Sequence, residues 1–212
     1  GYGIDIDSSG NSYITGLFTG TINFGGGNLT SAGGSDIFVL KLNSSGVYQW
    51  ASTFGSTSND IGYGIAVDTS GNPHITGTFV GTINFGGGNK ISAGSSDMFV
   101  LKLNSSGVYQ WASTFGGTLS DIGHGIAVDS SGNSYITGLF YGTVNFGGGN
   151  VTSAGGGDIF VLKLNSSGVY QWASTFGGTS SDVGRAIILD SSGDPFITGD
   201  FVGTINFGGG NK

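Results

Sequence analysis

The sequence has no cysteine and no glutamate, only two prolines, and six lysine or arginine residues in 212. Without cysteine no disulfide framework holds the fold, and a thiolate zinc site is excluded. Three of the six positive charges are Lys41, Lys102 and Lys163, at equivalent positions, so no basic stripe forms for a phosphate backbone. That speaks against a nucleic acid partner. The 13 acidic residues are all aspartate and bring the net charge to −7. No signal peptide, transit peptide or membrane span is present, and no amphipathic helical window, so membrane insertion is not expected.

Glycine, by contrast, is abundant, with 45 residues. Aperiodic glycine at that level indicates disorder. Here it recurs periodically, with 12% aromatic residues between, and reads as turn chemistry. The period is set by FVLKLNSSGVYQWASTFG, Phe38 to Gly55, which returns unchanged at Phe99 to Gly116 and Phe160 to Gly177, 61 residues apart each time. A fixed period of this length dictates the fold. The repeats are 1–61, 62–122, 123–183 and a partial fourth, 184–212.

Each repeat predicts two hairpins. In one, Phe38, Leu40 and Leu42 alternate with Val39 and Lys41, and Tyr48, Trp50 and Phe54 alternate with Val47, Gln49 and Ala51. Period-two alternation of aromatic and branched residues is a strand signal. Asn43-Ser44-Ser45-Gly46 supplies the turn. The other hairpin turns at Asp7-Ser8-Ser9-Gly10, between strands carrying Ile4 and Ile6 and then Tyr13, Ile14, Leu17 and Phe18. Between the hairpins, Ile22 and Phe24 fit a short strand or a packed loop. Gly25-Gly26-Gly27-Asn28 is a turn, because no helix follows to make it a phosphate cradle.

Strands apolar on both faces, in tandem four-stranded units, predict an all-β chain: a β-propeller of about 3.5 blades, each sandwiched between its neighbours. A β-solenoid or sandwich array is the competitor. The string GIAVDSSGNSYITG, Gly125 to Gly138, with SDIFVLKLNSSG and a W-x-x-x-F-G-G close, resembles the SBBP family of bacterial β-propeller repeats, named for seven blades. The resemblance implies an extracellular or cell-surface bacterial protein and no catalytic residues. Three and a half repeats do not complete seven blades. The expectation is a longer array; two chains sharing a ring, as a homo-oligomer, are less apt because both orphan hairpins would be of one type.

Candidate sites each have a structural reading beside the functional one. Asp7, Asp68, Asp129 and Asp190 head the DSSG turns and loosely resemble the start of a calcium loop. One carboxylate per turn and no glutamate fall short of calcium's six to eight oxygens, so a plain turn is favoured and calcium is the one cofactor left open. Asp36, Asp97 and Asp158, with Asp60, Asp121 and Asp182, precede strands and read as Asx-turns, or as pairs sharing a cation. His74 and His124 occupy non-equivalent positions and read as surface or edge substitutions. Trp50, Trp111 and Trp172 are core residues by default and weak sugar-stacking candidates otherwise. Asp5 and Asp7 could share a strand face as an acid pair, but Asp5 becomes Ala66, Ala127 and Ile188 later. Positions that vary between repeats, such as Tyr2, Tyr63, His124 and Arg185, lie at strand starts and loops, where a rigid scaffold would bind.

These features predict a non-catalytic repeat scaffold or interaction module of a bacterial surface protein, serving adhesion or assembly and meeting a protein or a surface glycan. Two alternatives stand beside it: a lectin-like propeller, and a non-catalytic part of a larger enzyme.

Overall fold

The computed structural model describes residues 1–208; residues 209–212, the end of the fourth repeat, lie outside the described residues. All named elements are strands, so no helix is long and apolar enough to cross a membrane.

The first sheet is β1 (Gly3–Ile6), β2 (Ser12–Asn23), β3 (Asn28–Leu42) and β4 (Tyr48–Phe54), in that order. The second has β5 (Ile61–Val67) and β6 (Pro73–Phe79), then an excursion hairpin, β7 (Thr82–Asn84) with β8 (Asn89–Ile91), and returns as β9 (Asp97–Leu103) and β10 (Tyr109–Phe115). The third repeats this as β11 (Ile122–Val128), β12 (Ser134–Phe140), β13 (Thr143–Asn145), β14 (Asn150–Thr152), β15 (Asp158–Leu164) and β16 (Tyr170–Phe176). The fourth sheet has two strands among the described residues, β17 (Val183–Leu189) and β18 (Pro195–Asp200). All pairings between the named strands are antiparallel, and one isolated parallel bridge joins Ser96 and Ser120. In the first sheet the excursion is continuous with β2 and β3, so the strand expected around Ile22 is present, and the GGG run is its turn, with Gly25 at φ 121°.

The alternation along β9 explains why the sheets stack. Phe99, Leu101 and Leu103 face the first sheet and share a core with its Tyr13, Ile37 and Val39. Met98 and Val100 face the third sheet, with Ile136, Phe140 and Phe160. The core therefore lies between sheets rather than inside one, as expected for blades that cannot bury their faces alone. The first strands β1, β5, β11 and β17 pack side by side in sequence. Their approach is close: a Cβ on Gly3 would lie 2.8 Å from the Tyr63 carbonyl, and one on Gly64 2.7 Å from that of His124. This is a β-propeller segment of three four-stranded blades and a two-stranded sheet.

In the second and third blades the phenylalanine after the first excursion strand wedges between blades. Phe85 meets Phe54 of the preceding blade and Phe79 and Phe99 of its own, at 4.9–6.1 Å between ring centroids. Phe146 makes the same quartet with Phe115, Phe140 and Phe160.

Candidate functional site

The two kinds of turn share one rim. A Cβ on Gly10 would touch Ser44, and one on Gly132 would touch Ser166, so DSSG and NSSG turns of one blade sit side by side. Each DSSG turn is built by its aspartate. Asp7 Oδ1 accepts the amides of Ser9 and Asn11; Oδ2 accepts Asn11 Nδ2 and lies 3.2 Å from the Tyr13 hydroxyl. Asp129 repeats the pattern with Ser131, Asn133 and Tyr135. Asp68 takes Ser70, Asn72 and the Lys102 ammonium at 3.0 Å, and Asp190 takes the amides of Ser192 and Asp194. Each of these carboxylates is engaged by N–H or O–H donors, the local chemistry of an Asx-type turn.

The tryptophans join neighbouring blades. Trp50 Nε1 donates to the Ser105 carbonyl at 3.1 Å, and Trp111 Nε1 to that of Ser166 at 3.1 Å. Each indole also covers the glycine of that turn: a Cβ on Gly107 would lie 2.9 Å from the Trp50 ring. Ser52 and Ser113 hydroxyls add bonds to the Gly107 and Gly168 carbonyls. Trp172 packs on Tyr135 at 6.1 Å, and among the described residues no NSSG turn lies over it. Trp111→Phe is therefore expected to cost about 1 kcal/mol for the lost hydrogen bond, plus lost packing. The same change at Trp172 should cost clearly less; urea denaturation of the two variants checks the difference.

The histidines depart from the sequence reading. His74 takes the place of Tyr13 and Tyr135 and is fully buried, not a surface or edge residue. The reason is the sheet stacking: this position points at the following blade. His74 Nδ1 lies 2.8 Å from Ser134 Oγ, and the buried Nε2 lies 3.5 Å from Asp68 Oδ2 without a formed hydrogen bond. Burial lowers the affinity of His74 for a proton, which keeps it neutral. Ser134, His74 and Asp68 thus have the composition of a nucleophilic triad. Ser134 and His74 are both 0% exposed, however, so a substrate has no route to the hydroxyl. The equivalent lysines respond to the change: Lys41 and Lys163 lie over the Tyr13 and Tyr135 rings, whereas Lys102 pairs with Asp68.

Asp5 and Asp7 do not converge. Asp5 Oδ2 accepts the Val67 amide of the next blade at 2.8 Å, while Asp7 holds its own turn. The other aspartates are not Asx-turns either. Asp36, Asp97 and Asp158 reach back to the amides of Ala32, Ala93 and Ala154 with Oδ2, and their buried Oδ1 atoms have no partner. Asp60, Asp121 and Asp182 bridge two chain segments; Asp121 accepts Gly117 and Tyr141 amides. The two sets are neighbours, since Asp121 N donates to the Ser96 carbonyl beside Asp97. Burial, with Asp97 nearby, pushes the Asp121 carboxyl up to about 6. Among the described residues, no three acidic or histidine side chains gather as a metal site.

Sequence reasoning did not foresee that the variable residues Tyr2, Tyr63 and His124 form one line. Their rings are 5.4 and 5.1 Å apart along the inner strands. Burial first, then Arg185, holds the His124 imidazole down to about 4. The exact 61-residue spacing of these positions was the available signal.

Polar grooves open on the turn rim between neighbouring blades. One, of about 440 Å³, is lined by Asp129, Ser130, Ser131, Tyr135, Lys163 and the Asp190–Gly193 turn. A smaller one, about 210 Å³, lies between Asp7, Ser8, Ser9 and Thr69, Ser70, Gly71.

Two curated proteins are similar to the chain. An uncharacterized WD repeat-containing protein of Acanthamoeba polyphaga mimivirus is 27% identical over 176 residues, covering 74% of this chain and 13% of the relative. The regulatory protein FlaEY of Caulobacter vibrioides is 27% identical over 168 residues, 76% of this chain and 18% of the relative. The chain thus spans less than a fifth of either relative's length. Residues 110–139, from the last strand of the second blade through β12, match the family model SBBP, described as a beta-propeller repeat. By fold, by internal period and by this match, the chain is similar to the SBBP family of β-propeller repeats.

Proposed function

We propose that the chain is a non-catalytic scaffold that presents the same turn rim several times over to a protein partner, outside the cell or at the cell surface, in adhesion or assembly. The observation that carries this reading is a polar groove between the serine-rich turns of neighbouring blades, seen for the first with the second and for the third with the fourth. A surface offered repeatedly favours avidity over one unique site. The WD repeat and regulatory relatives are compatible with an interaction module. The burial of Ser134 and His74 supports a non-catalytic role, and the acidic, serine- and glycine-rich composition supports an exposed location.

A lectin-like role is the second reading, favoured by the polar lining of the larger groove. The engagement of Trp50 and Trp111 with the next blade weighs against those residues as sugar platforms. A glycan-array screen of the folded chain, with and without EDTA, separates the readings. The scaffold reading expects no defined sugar and no effect of EDTA. Binding to one sugar class would replace it with the lectin, and loss of that binding in EDTA would bring calcium to the DSSG turns.

A further inference from the structure

Three equivalent corners, where one blade passes to the next, each bury two aspartates without a counterion. The pairs are Asp36 with Asp60, Asp97 with Asp121 and Asp158 with Asp182, every one of them at most 4% exposed. Among the described residues, no lysine, arginine or histidine forms an ion pair with any of these carboxylates. A buried charge is ordinarily paired, neutralised or bound to a metal.

The two members of a pair converge on one peptide. The Asp97 carboxyl lies against Gly116, where an added Cβ would overlap it, and Asp121 Oδ2 accepts the amide of the next residue, Gly117. The Asp121 amide in turn donates to the Ser96 carbonyl, beside Asp97. Gly55 and Gly177 take the place of Gly116 at the other corners, against Asp36 and Asp158. Beyond burial, the charge of one member acts on the other at all three corners.

The members differ in what they hold. Asp60, Asp121 and Asp182 place both oxygens on backbone amides. Asp36, Asp97 and Asp158 place Oδ2 on an amide and leave Oδ1 buried with no partner. Among the described residues, the buried side-chain polar atoms without a partner are these three oxygens and His74 Nε2. Such atoms are rare, and the same one recurring every 61 residues calls for a common occupant. A carboxylate oxygen only accepts, so it lacks a donor or a cation. A water molecule would satisfy the oxygen but not the two charges.

We propose that each corner binds a hard divalent cation of the calcium type, with the free Oδ1 of Asp36, Asp97 or Asp158 as a ligand and Asp60, Asp121 or Asp182 as the second negative charge. Oxygen donors suit such an ion, and its charge offsets both carboxylates. The ion acts as a clamp between blades, because Asp97 belongs to the second blade while Asp121 holds the Tyr141 amide of the third. The proposal does not rest on the scaffold role, since it concerns the joints between blades and not the turn rim.

The test is calorimetric titration of the EDTA-stripped, dialysed chain with calcium chloride, beside urea denaturation in calcium and in EDTA. The expected results are saturable binding of one ion per aspartate pair and a higher urea midpoint in calcium. Asp97→Asn keeps an oxygen for the Ala93 amide and should remove one ion from the count. Asp129→Asn, in a rim turn, should remove none. The same replacement at Asp36, Asp97 and Asp158 together should abolish binding; if that variant does not fold, the count for Asp97→Asn decides. No saturable calcium binding, with equal midpoints in calcium and EDTA, would overturn the proposal and assign the corners to protons. Binding that Asp97→Asn leaves intact, or that Asp129→Asn lowers, would overturn it too.

Discussion

Gly138→Ala is expected to lower the stability of the chain by roughly 3 kcal/mol, the upper end of overpacking costs. Gly138 pairs with Gly123 where β11 is bulged, in the middle of a four-stranded sheet. A methyl group there would overlap the Ile122 carbonyl oxygen and stand 3.0 Å from the Phe160 ring. Neither neighbour can yield. The carbonyl belongs to the inner strand, and Phe160 is fully buried in the interblade quartet. Gly199 is the same residue one period later, and its added methyl would overlap the Val183 carbonyl. Among the described residues no strand pairs with the other edge of β18, so in the 212-residue chain the strand can move away. Gly199→Ala should cost well under half as much, and urea midpoints of the two variants measure the contrast.

The second large effect is expected at Asp68. Asp68→Ala should cost about 3 kcal/mol, because it strands several donors together. The amides of Ser70 and Asn72, the Asn72 side chain and the Lys102 ammonium all point at this carboxylate. Lys102 is only 13% exposed at its side chain, so its charge would lose its partner in a poorly solvated place. The pH dependence follows from the same contacts. Burial pushes the Asp68 carboxyl up, but the contacts with His74, Asn72 and Lys102 outweigh it and hold the group well below its ordinary 3.8. A carboxyl with a lowered folded value stabilises above its unfolded value and loses that contribution as the pH falls. The gap between wild type and Asp68→Ala should therefore stay flat from pH 8 to about 5 and shrink below about 4, in denaturation series at each pH. His74 adds an acid-labile contribution of its own, since its lowered proton affinity favours the folded state only while it is neutral.

Much of this architecture is legible in the sequence, for a physical reason. Alternation in Phe38 to Leu42 marks a strand with two apolar faces, and a strand buried on both faces requires neighbours on both sides. The turns are equally plain, because Asp7 with Gly10 and Asn43 with Gly46 carry their chemistry locally. What the chain concealed depends on how one sheet meets the next. Trp50 finds its hydrogen-bond partner 55 residues away, in a turn that shows no sign of receiving it. His74 resembled a surface exchange because its counterparts vary between tyrosine and phenylalanine, yet its position points at the following blade, where Ser134 meets it, with Asp68 of its own turn nearby. Asp36 and Asp60 looked like turn starters, but their partners lie behind them and across a corner. Of the candidate functional surface, the turn residues were visible and the grooves between them were not, since a groove is made by two repeats at once.

The central claim is that stability, and with it the rigid rim, is made between blades rather than within them. Hydrogen exchange read by mass spectrometry tests this most directly, because the inner strands GYGIDID, IGYGIAVD, IGHGIAVD and VGRAIILD give distinguishable peptides. The account predicts the strongest protection in β5 and β11, which have a blade on each side, and the weakest in β1 and β17. Equal protection of all four strands would contradict it, as would a terminal sheet more protected than the central pair, because either result would mean that each repeat holds its own core.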